Sequence, residues 1–82
     1  MNLFPVDGYT TLIHNEINTC HDSYRIATHE NSGLSQCRSL CDKTKVCNYF
    51  YVNGGGWCVL YASCIEKRVA GHIGSTFKKA GK

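Results

Sequence analysis

CRSLCDKTKVCNYFYVNGGGWCVLYASC, residues 37–64, holds five of the six cysteines in this chain of 82 residues. An even number of cysteines in so short a chain is typical of a disulfide framework formed in an oxidising compartment. A domain of this size removes only a modest part of its surface from water, so it often needs covalent crosslinks to be stable. We therefore expect residues 1–82 to be a single disulfide-rich domain that is secreted or exposed outside the cell.

Two of these cysteines lie in a predicted helix. Apolar and cysteine residues recur at three- and four-residue spacing over residues 34–41, which is the period of a helix with one buried face. Residues 31–33 (NSG) can cap its first turn, and it should end near residues 43–45, where lysines suit the negative end of the helix dipole. Cys37 and Cys41 then lie on one face and point inward, each towards a neighbouring element.

A hairpin is predicted directly after the helix. Residues 48–52 and 57–61 are rich in aromatic and β-branched residues, and the NGGG sequence at 53–56 permits positive φ angles. A four-residue loop would place Tyr51 opposite Cys58. One face would then carry Cys47, Tyr49, Tyr51, Cys58 and Leu60. The other face is equally apolar, and a slip of one residue exchanges the faces of one strand, so the register stays open at this point.

Two further strands complete an α+β fold in which one helix packs on a small antiparallel sheet. Residues 9–14 (YTTLIH) have the composition of a short strand, and a last strand is expected within residues 68–77. In the last strand, Gly71 and Gly74 permit a bulge or a close approach of another group to the backbone.

Other uses of the cysteines fit less well. Cys37-x3-Cys41 matches the spacing of a zinc-binding pair, but Cys58-x5-Cys64 does not, and six cysteines overfill a four-ligand site. No C-x-x-C redox motif, nucleophile elbow, phosphate loop or HExxH motif is present. The sequence therefore predicts no metal, no cofactor and no enzymatic activity.

The cysteine pattern resembles that of the PAN/apple domain family over about residues 30–78. The run Cys37-x3-Cys41-x5-Cys47 is followed by an aromatic residue, Phe50, three positions on, and Cys58 is followed by an "xL" step. The segment VAGHIGSTFKK is similar to the closing strand of the family. The resemblance implies the disulfides Cys37–Cys58 and Cys41–Cys47, which leaves Cys20–Cys64. In the usual apple pattern the outermost pair ties the two ends of the domain together, and this chain departs from it.

The resemblance also implies a function. PAN/apple domains are extracellular, non-enzymatic recognition modules for proteins or carbohydrates, and they commonly occur in tandem within longer proteins. The compact CxLYxxC ending is similar to protist members, so we expect a module of an apicomplexan microneme-type adhesin that binds a host-surface protein or glycan. The alternatives are a structural spacer that contacts only neighbouring domains of its own chain, or a secreted inhibitor on the same scaffold.

Two groups of residues are candidates for ligand binding. The aromatic residues Trp57, Tyr49, Tyr51 and Tyr61 could form a recognition platform, with Trp57 the best candidate for partial exposure, or they could simply fill the two faces of the sheet. The basic residues Lys67, Arg68, Lys78, Lys79 and Lys82, with His72, could bind a sulfated ligand or form a solvated surface. The net charge is only +3, and no apolar run approaches the ~20 residues that cross a bilayer, so we expect neither nucleic acid binding nor membrane insertion.

Overall fold

In the computed structural model, which describes residues 8–80, a single α-helix packs on a five-stranded antiparallel sheet. The elements are β1 (Tyr9–Cys20), a 3-10 turn (Asp22–Tyr24), β2 (Arg25–His29), α1 (Leu34–Lys43), β3 (Tyr49–Asn53), β4 (Cys58–Tyr61) and β5 (Lys67–Lys79). The strand order is β1-β5-β3-β4-β2. This confirms the predicted small α+β fold. Within residues 8–80, no helix has the length and apolar character needed to cross a bilayer.

Helix α1 begins and ends where its sequence predicts. The Gly33 N–H donates to Gln36 Oε1 over 2.9 Å, which satisfies a backbone donor just before the first turn. At the other end, the Thr44 N–H donates to the Leu40 carbonyl over 3.1 Å, and the Thr44 hydroxyl donates to the same oxygen over 2.8 Å. The two cysteines of α1 are fully buried against the sheet.

The register of the β3–β4 hairpin differs by one residue from the one built on a four-residue loop. Val52, and not Tyr51, lies opposite Cys58. The reason is that Asn53 remains paired with Trp57 across the turn, its N–H donating to the Trp57 carbonyl over 3.3 Å. The loop is therefore the three residues 54–56. Its last residue, Gly56, has a φ of +88°, which is the left-handed conformation that three-residue hairpin loops require.

This register also corrects the predicted composition of the two faces. The helix-side core contains Phe50, Cys58 and Leu60, together with Cys47. Tyr49 and Tyr51, which a four-residue loop would place on that face, lie on the opposite one. Their cluster there comprises Cys20, Tyr51, Tyr61 and Cys64 as buried residues, with Tyr24, Tyr49, Val59 and Ala70 packed against them. The sheet therefore has an apolar core on each side.

The sheet contains one strand more than predicted, and its strands β1 and β5 are longer than predicted. The predicted strand at residues 9–14 continues to Cys20, because its partner β5 runs beside it as far as Lys67. Strand β2 was not predicted; it is a short edge strand that pairs with β4 and has an irregular register between Arg25 and Ala27. The register of β1 against β5 shifts three times between Thr11 and Asn18, which curves this pair strongly.

The second core exists because one end of the β1–β5 pair folds over the sheet. Strand β5 pairs with β3 over residues 74–78 and then continues beside β1. We call residues 18–20 of β1 with residues 67–73 of β5 the ribbon. The Tyr51 hydroxyl donates to the His72 carbonyl of the ribbon over 3.0 Å, and the Thr19 and Tyr61 hydroxyls are hydrogen-bonded over 3.2 Å. The ribbon therefore covers part of the face that α1 does not.

Glycine makes this fold possible at two positions of β5. A Cβ built on Gly74 would lie 2.5 Å from Tyr51 Cε1 and 2.5 Å from the Val52 carbonyl oxygen, so no larger residue fits without a shift. Gly71 has a φ of +88°, which other residues adopt only with strain. The close approach predicted for these glycines is therefore present at Gly74.

Three disulfides link the layers. Cys37–Cys58 joins α1 to β4, and Cys41–Cys47 joins α1 to the loop that follows it. Cys20–Cys64 joins the end of β1 to the segment after β4, on the other side of the sheet. These are the three pairs that the resemblance implies, and all six cysteines take part. Such crosslinks are typical of proteins from an oxidising compartment.

The two ends of the described chain lie side by side. The Ala80 N–H donates to the Gly8 carbonyl over 2.6 Å, and Tyr9 is paired with Lys79 in the β1–β5 ladder. Tyr49, at the start of β3, is paired with Lys78. Both ends therefore lie at the end of the sheet that is opposite the 54–56 loop.

Candidate functional site

A groove lies between the ribbon and the face of the sheet that α1 leaves uncovered. It has a volume of about 300 Å³. The residues that line it are Thr19, Arg25, Thr28, Tyr51, Asn53, Trp57, Val59, Tyr61, Arg68, Ala70 and His72. A second hollow of similar size shares Asn53, Trp57 and His72 with it and continues along the 54–56 loop to Ile73. The two hollows adjoin at these three shared residues, and we call the first of them the groove.

Two buried tyrosines form the floor of the groove. Tyr61 is only 1% exposed, and this burial raises the pKa of its phenol above the ordinary value. Its hydroxyl therefore stays neutral and holds Thr19 of the ribbon. The Tyr51 hydroxyl holds the ribbon through the His72 carbonyl in the same way. The hydroxyls of both tyrosines thus fix the shape of the groove, while their rings form its apolar base.

Trp57 stands at the loop end of the groove. It is the only tryptophan of the chain and is 40% exposed. Asn53 positions its backbone from both sides: the Asn53 N–H donates to the Trp57 carbonyl, and Asn53 Oδ1 accepts from the Trp57 N–H, each over 3.3 Å. The partial exposure predicted for Trp57 is confirmed. A partly exposed indole on a backbone that these hydrogen bonds fix can contact a ligand at little cost in conformational entropy.

A charged cluster stands at the other end of the groove. Asp22 Oδ1 lies 3.0 Å from Arg68 Nε and 3.9 Å from Arg25 Nη1, so one carboxylate oxygen faces two guanidinium groups. Arg68 Nη1 also donates to the Val69 carbonyl over 2.7 Å. We call these three side chains the Arg–Asp–Arg cluster. The side chains are 38–47% exposed, so the pairs add little stability, but they hold two cations close together with a net charge of +1.

The other basic candidates do not form one patch with Arg68. Lys67 lies beside Cys20 at one end of β5, whereas Lys78 and Lys79 lie at the opposite end of the same strand. The Lys79 ammonium group donates to the Cys41 carbonyl over 3.4 Å, at the C-terminal end of α1. Lys82 lies outside the described residues. Of the basic candidates, the structure therefore brings Arg68 and His72 to the groove.

The aromatic candidates divide in a similar way. Trp57, Tyr51 and Tyr61 line the groove. Tyr49 lies on the same face of the sheet but is half-buried beside Lys78, nearer to the chain ends.

Sequence reasoning missed Arg25, Thr19 and Thr28, which also line the groove. Arg25 and Thr28 belong to the unpredicted strand β2, and Thr19 belongs to the unpredicted second half of β1. Neither segment has a regular alternation that would have revealed which side chains share a face. The described part of the chain also contains no group of three or more His, Cys, Asp or Glu side chains arranged to hold a metal ion.

Comparisons of the chain with known protein families, with curated proteins and with solved structures give no match.

Proposed function

We propose that this chain is a PAN/apple-like, extracellular, non-enzymatic recognition module that binds carbohydrate in the groove. The observation that carries the proposal is the half-exposed ring of Trp57 at one end of a depression whose floor is two buried tyrosines. Flat aromatic faces next to hydrogen-bonding groups suit sugars, which present apolar C–H surfaces and hydroxyl groups on the same ring.

The family proposal is supported by the arrangement of helix, hairpin and disulfides. Cys37 and Cys41, four residues apart on α1, are joined to Cys58 of the hairpin and to Cys47 just before it. The third disulfide departs from the usual apple pattern, because the ends of the domain are held by the pairing of β1 with β5 and not by a crosslink.

A small ligand fits the groove better than a folded protein does. The groove volume of about 300 Å³ is at the lower end of the range for small-molecule sites. A stable protein interface usually buries about 800 Å² on each partner, and one that included the groove would have to extend well beyond it. Hydroxyl and amide groups of Thr28 and Asn53 line the groove and offer hydrogen bonds to sugar hydroxyls.

The proposal is tested on an array of immobilised oligosaccharides with the intact, disulfide-bonded protein. We expect a small set of glycans to be retained, and Trp57→Ala to lose about tenfold or more in affinity, because it removes the exposed ring. Ile65→Ala is the matched control, since Ile65 is 80% exposed and does not line the groove. Retention of no glycan, or equal losses in both variants, would contradict the proposal.

A further inference from the structure

The charges that line the groove are all of one sign. Arg25 and Arg68 contribute to its wall, whereas no Asp or Glu of residues 8–80 does. Asp22 stands behind the two arginines and neutralises one of their two charges. The groove therefore offers an uncompensated positive charge at the end formed by the Arg–Asp–Arg cluster. A ligand with a negative group at that end would complement it.

The geometry of the cluster suits an oxyanion. Because one Asp22 oxygen lies within 4 Å of both guanidinium groups, the two groups lie close together in the absence of a ligand. Arg68 donates from Nε to Asp22 Oδ1 and from Nη1 to the Val69 carbonyl. Its Nη2 amino group forms no such bond among the described residues, so it can donate to a ligand. Guanidinium groups bind carboxylate and sulfate oxygens through such charge-assisted hydrogen bonds.

The two ends of the groove are too far apart for one sugar ring. Arg25 lies opposite Tyr61 in the β2–β4 pair, and Trp57 lies four residues before Tyr61 along the chain. At ~3.3 Å per residue this separation is about 13 Å. Thr28 and Val59, which face each other across the same two strands, line the space between them. A ligand that contacts both ends must contain at least two linked rings.

From these observations, and on the basis of the proposed function, we infer that the groove binds an acidic oligosaccharide whose anionic group contacts Arg25 and Arg68 while a neutral ring contacts Trp57. Carboxylated and sulfated sugars share the required chemistry. The acidic-glycan site then lies in the groove and not at the lysines at the two ends of β5. Asp22 has a role in this site: its carboxylate keeps the arginines together and at the same time weakens their attraction for the ligand.

The test uses three matched probes: lactose, 3′-sialyllactose and 3′-sulfolactose, which carry no charge, a carboxylate and a sulfate. Binding is measured by titration calorimetry at two ionic strengths. We expect at least one acidic probe to bind about tenfold or more tightly than lactose, with an advantage that shrinks as salt screens the charges. The ranking of the two acidic probes shows which anion is preferred.

Two variants probe the cluster itself. Asp22→Asn removes a negative charge and keeps an oxygen that can accept from Arg68, so we expect about three- to tenfold tighter binding of the preferred acidic probe. Arg68→Gln should weaken it by about tenfold, a larger loss than for lactose, which has no anionic group for Arg68 to bind. Arg38→Gln is the matched control: Arg38 lies on α1, on the other side of the sheet, and is also paired with an aspartate, Asp42.

A third variant probes the groove between its ends. Asn53→Asp places a negative charge in the wall while its side-chain oxygen can still accept from the Gly55 and Trp57 N–H groups. We expect the acidic probe to lose more affinity than lactose does, because the added negative charge repels only the acidic probe. Circular dichroism and the urea midpoint of each variant report whether the fold is retained.

The outcomes separate this inference from the proposed function. Equal binding of all three probes, together with no effect of Asp22→Asn, would leave a carbohydrate-binding module but overturn the acidic ligand. Equal losses in Arg38→Gln and Arg68→Gln would also overturn it, since general charge attraction would then explain the preference. Tighter binding of an acidic peptide than of any sugar probe would overturn the glycan assignment, and failure of every glycan in the array would overturn both.

Discussion

Gly74 packs against the ring of Tyr51 so closely that a Cβ on Gly74 would lie 2.5 Å from Tyr51 Cε1. This contact lies where β5 leaves β3 and the ribbon begins. The Tyr51 hydroxyl also links the sheet to the ribbon, because it donates to the His72 carbonyl. One residue without a side chain and one large ring therefore determine how near the ribbon lies to the sheet, and so how wide the groove is.

Gly74→Ala should destabilise the protein by about 1–3 kcal/mol, because the added methyl group overlaps both the Tyr51 ring and the Val52 carbonyl and forces a backbone shift. The free energy of unfolding in urea measures the effect. Gly54→Ala is the control, since a Cβ there meets nothing within 4 Å. Equal stability of the two variants would contradict the close packing at Gly74.

Removing Cys20–Cys64 should destabilise the protein more than removing Cys41–Cys47. The first disulfide closes a loop with a sequence separation of 44 residues and the second one of 6. Loop-closure entropy predicts a loss of about 4 kcal/mol for the longer loop and about 2 kcal/mol for the shorter one. Urea unfolding of the two double Cys→Ala variants provides the measurement. The opposite order would show that the entropy of the unfolded chain does not dominate.

The free energy of unfolding should fall as the pH rises above about 10, the ordinary pKa of tyrosine. Burial raises the pKa of Tyr61, and burial together with a hydrogen bond to Asp42 raises the pKa of Tyr9. The folded state then holds these protons more tightly than the unfolded state does. The resulting stabilisation is complete below pH 10 and is lost as the pH rises through the folded-state pKa values.

The variant Tyr61→Phe isolates one of these groups. Its unfolding free energy should be less sensitive to pH in the alkaline range, because the residue that replaces Tyr61 has no proton to lose. Urea unfolding at neutral and alkaline pH gives the slope for each protein. An unchanged alkaline slope in Tyr61→Phe would show that the Tyr61 phenol does not contribute.

Intrinsic fluorescence should report ligand binding directly. Trp57 is the only tryptophan and lines the groove, so a bound sugar that covers its ring should shift the emission to shorter wavelength and protect it from iodide quenching. A glycan that is retained on the array yet leaves both the emission and the quenching unchanged would place the binding site elsewhere on the surface.

The parts of the fold that could be predicted from the sequence are those specified by local patterns. The three- and four-residue spacing of 34–41 located α1, and the glycines after Asn53 located the turn of the hairpin. The register of the hairpin stayed open because both of its faces are apolar, and in the structure it depends on one hydrogen-bonded pair, Asn53 with Trp57. With a core on each side of the sheet, hydrophobic alternation does not distinguish inside from outside.

The groove was only half predictable for a related reason. Trp57 could be identified because it follows directly after a glycine-rich turn. Arg25 reaches the groove through the edge position of β2, and Arg68 reaches it through the curvature of the ribbon; both arise from pairings between residues far apart in the chain. The sequence does not indicate by its spacing that Arg25, Asp22 and Arg68 lie close together.

The hydrogen bond between Gly8 and Ala80 determines how this domain can be joined to another protein. Polypeptide that entered at one of these residues would leave at the other from almost the same point, while Trp57 lies at the far end of the sheet. The domain could thus be inserted into a surface loop of an unrelated carrier protein. It would then project outward from the carrier, with Trp57 at the end farthest from the attachment.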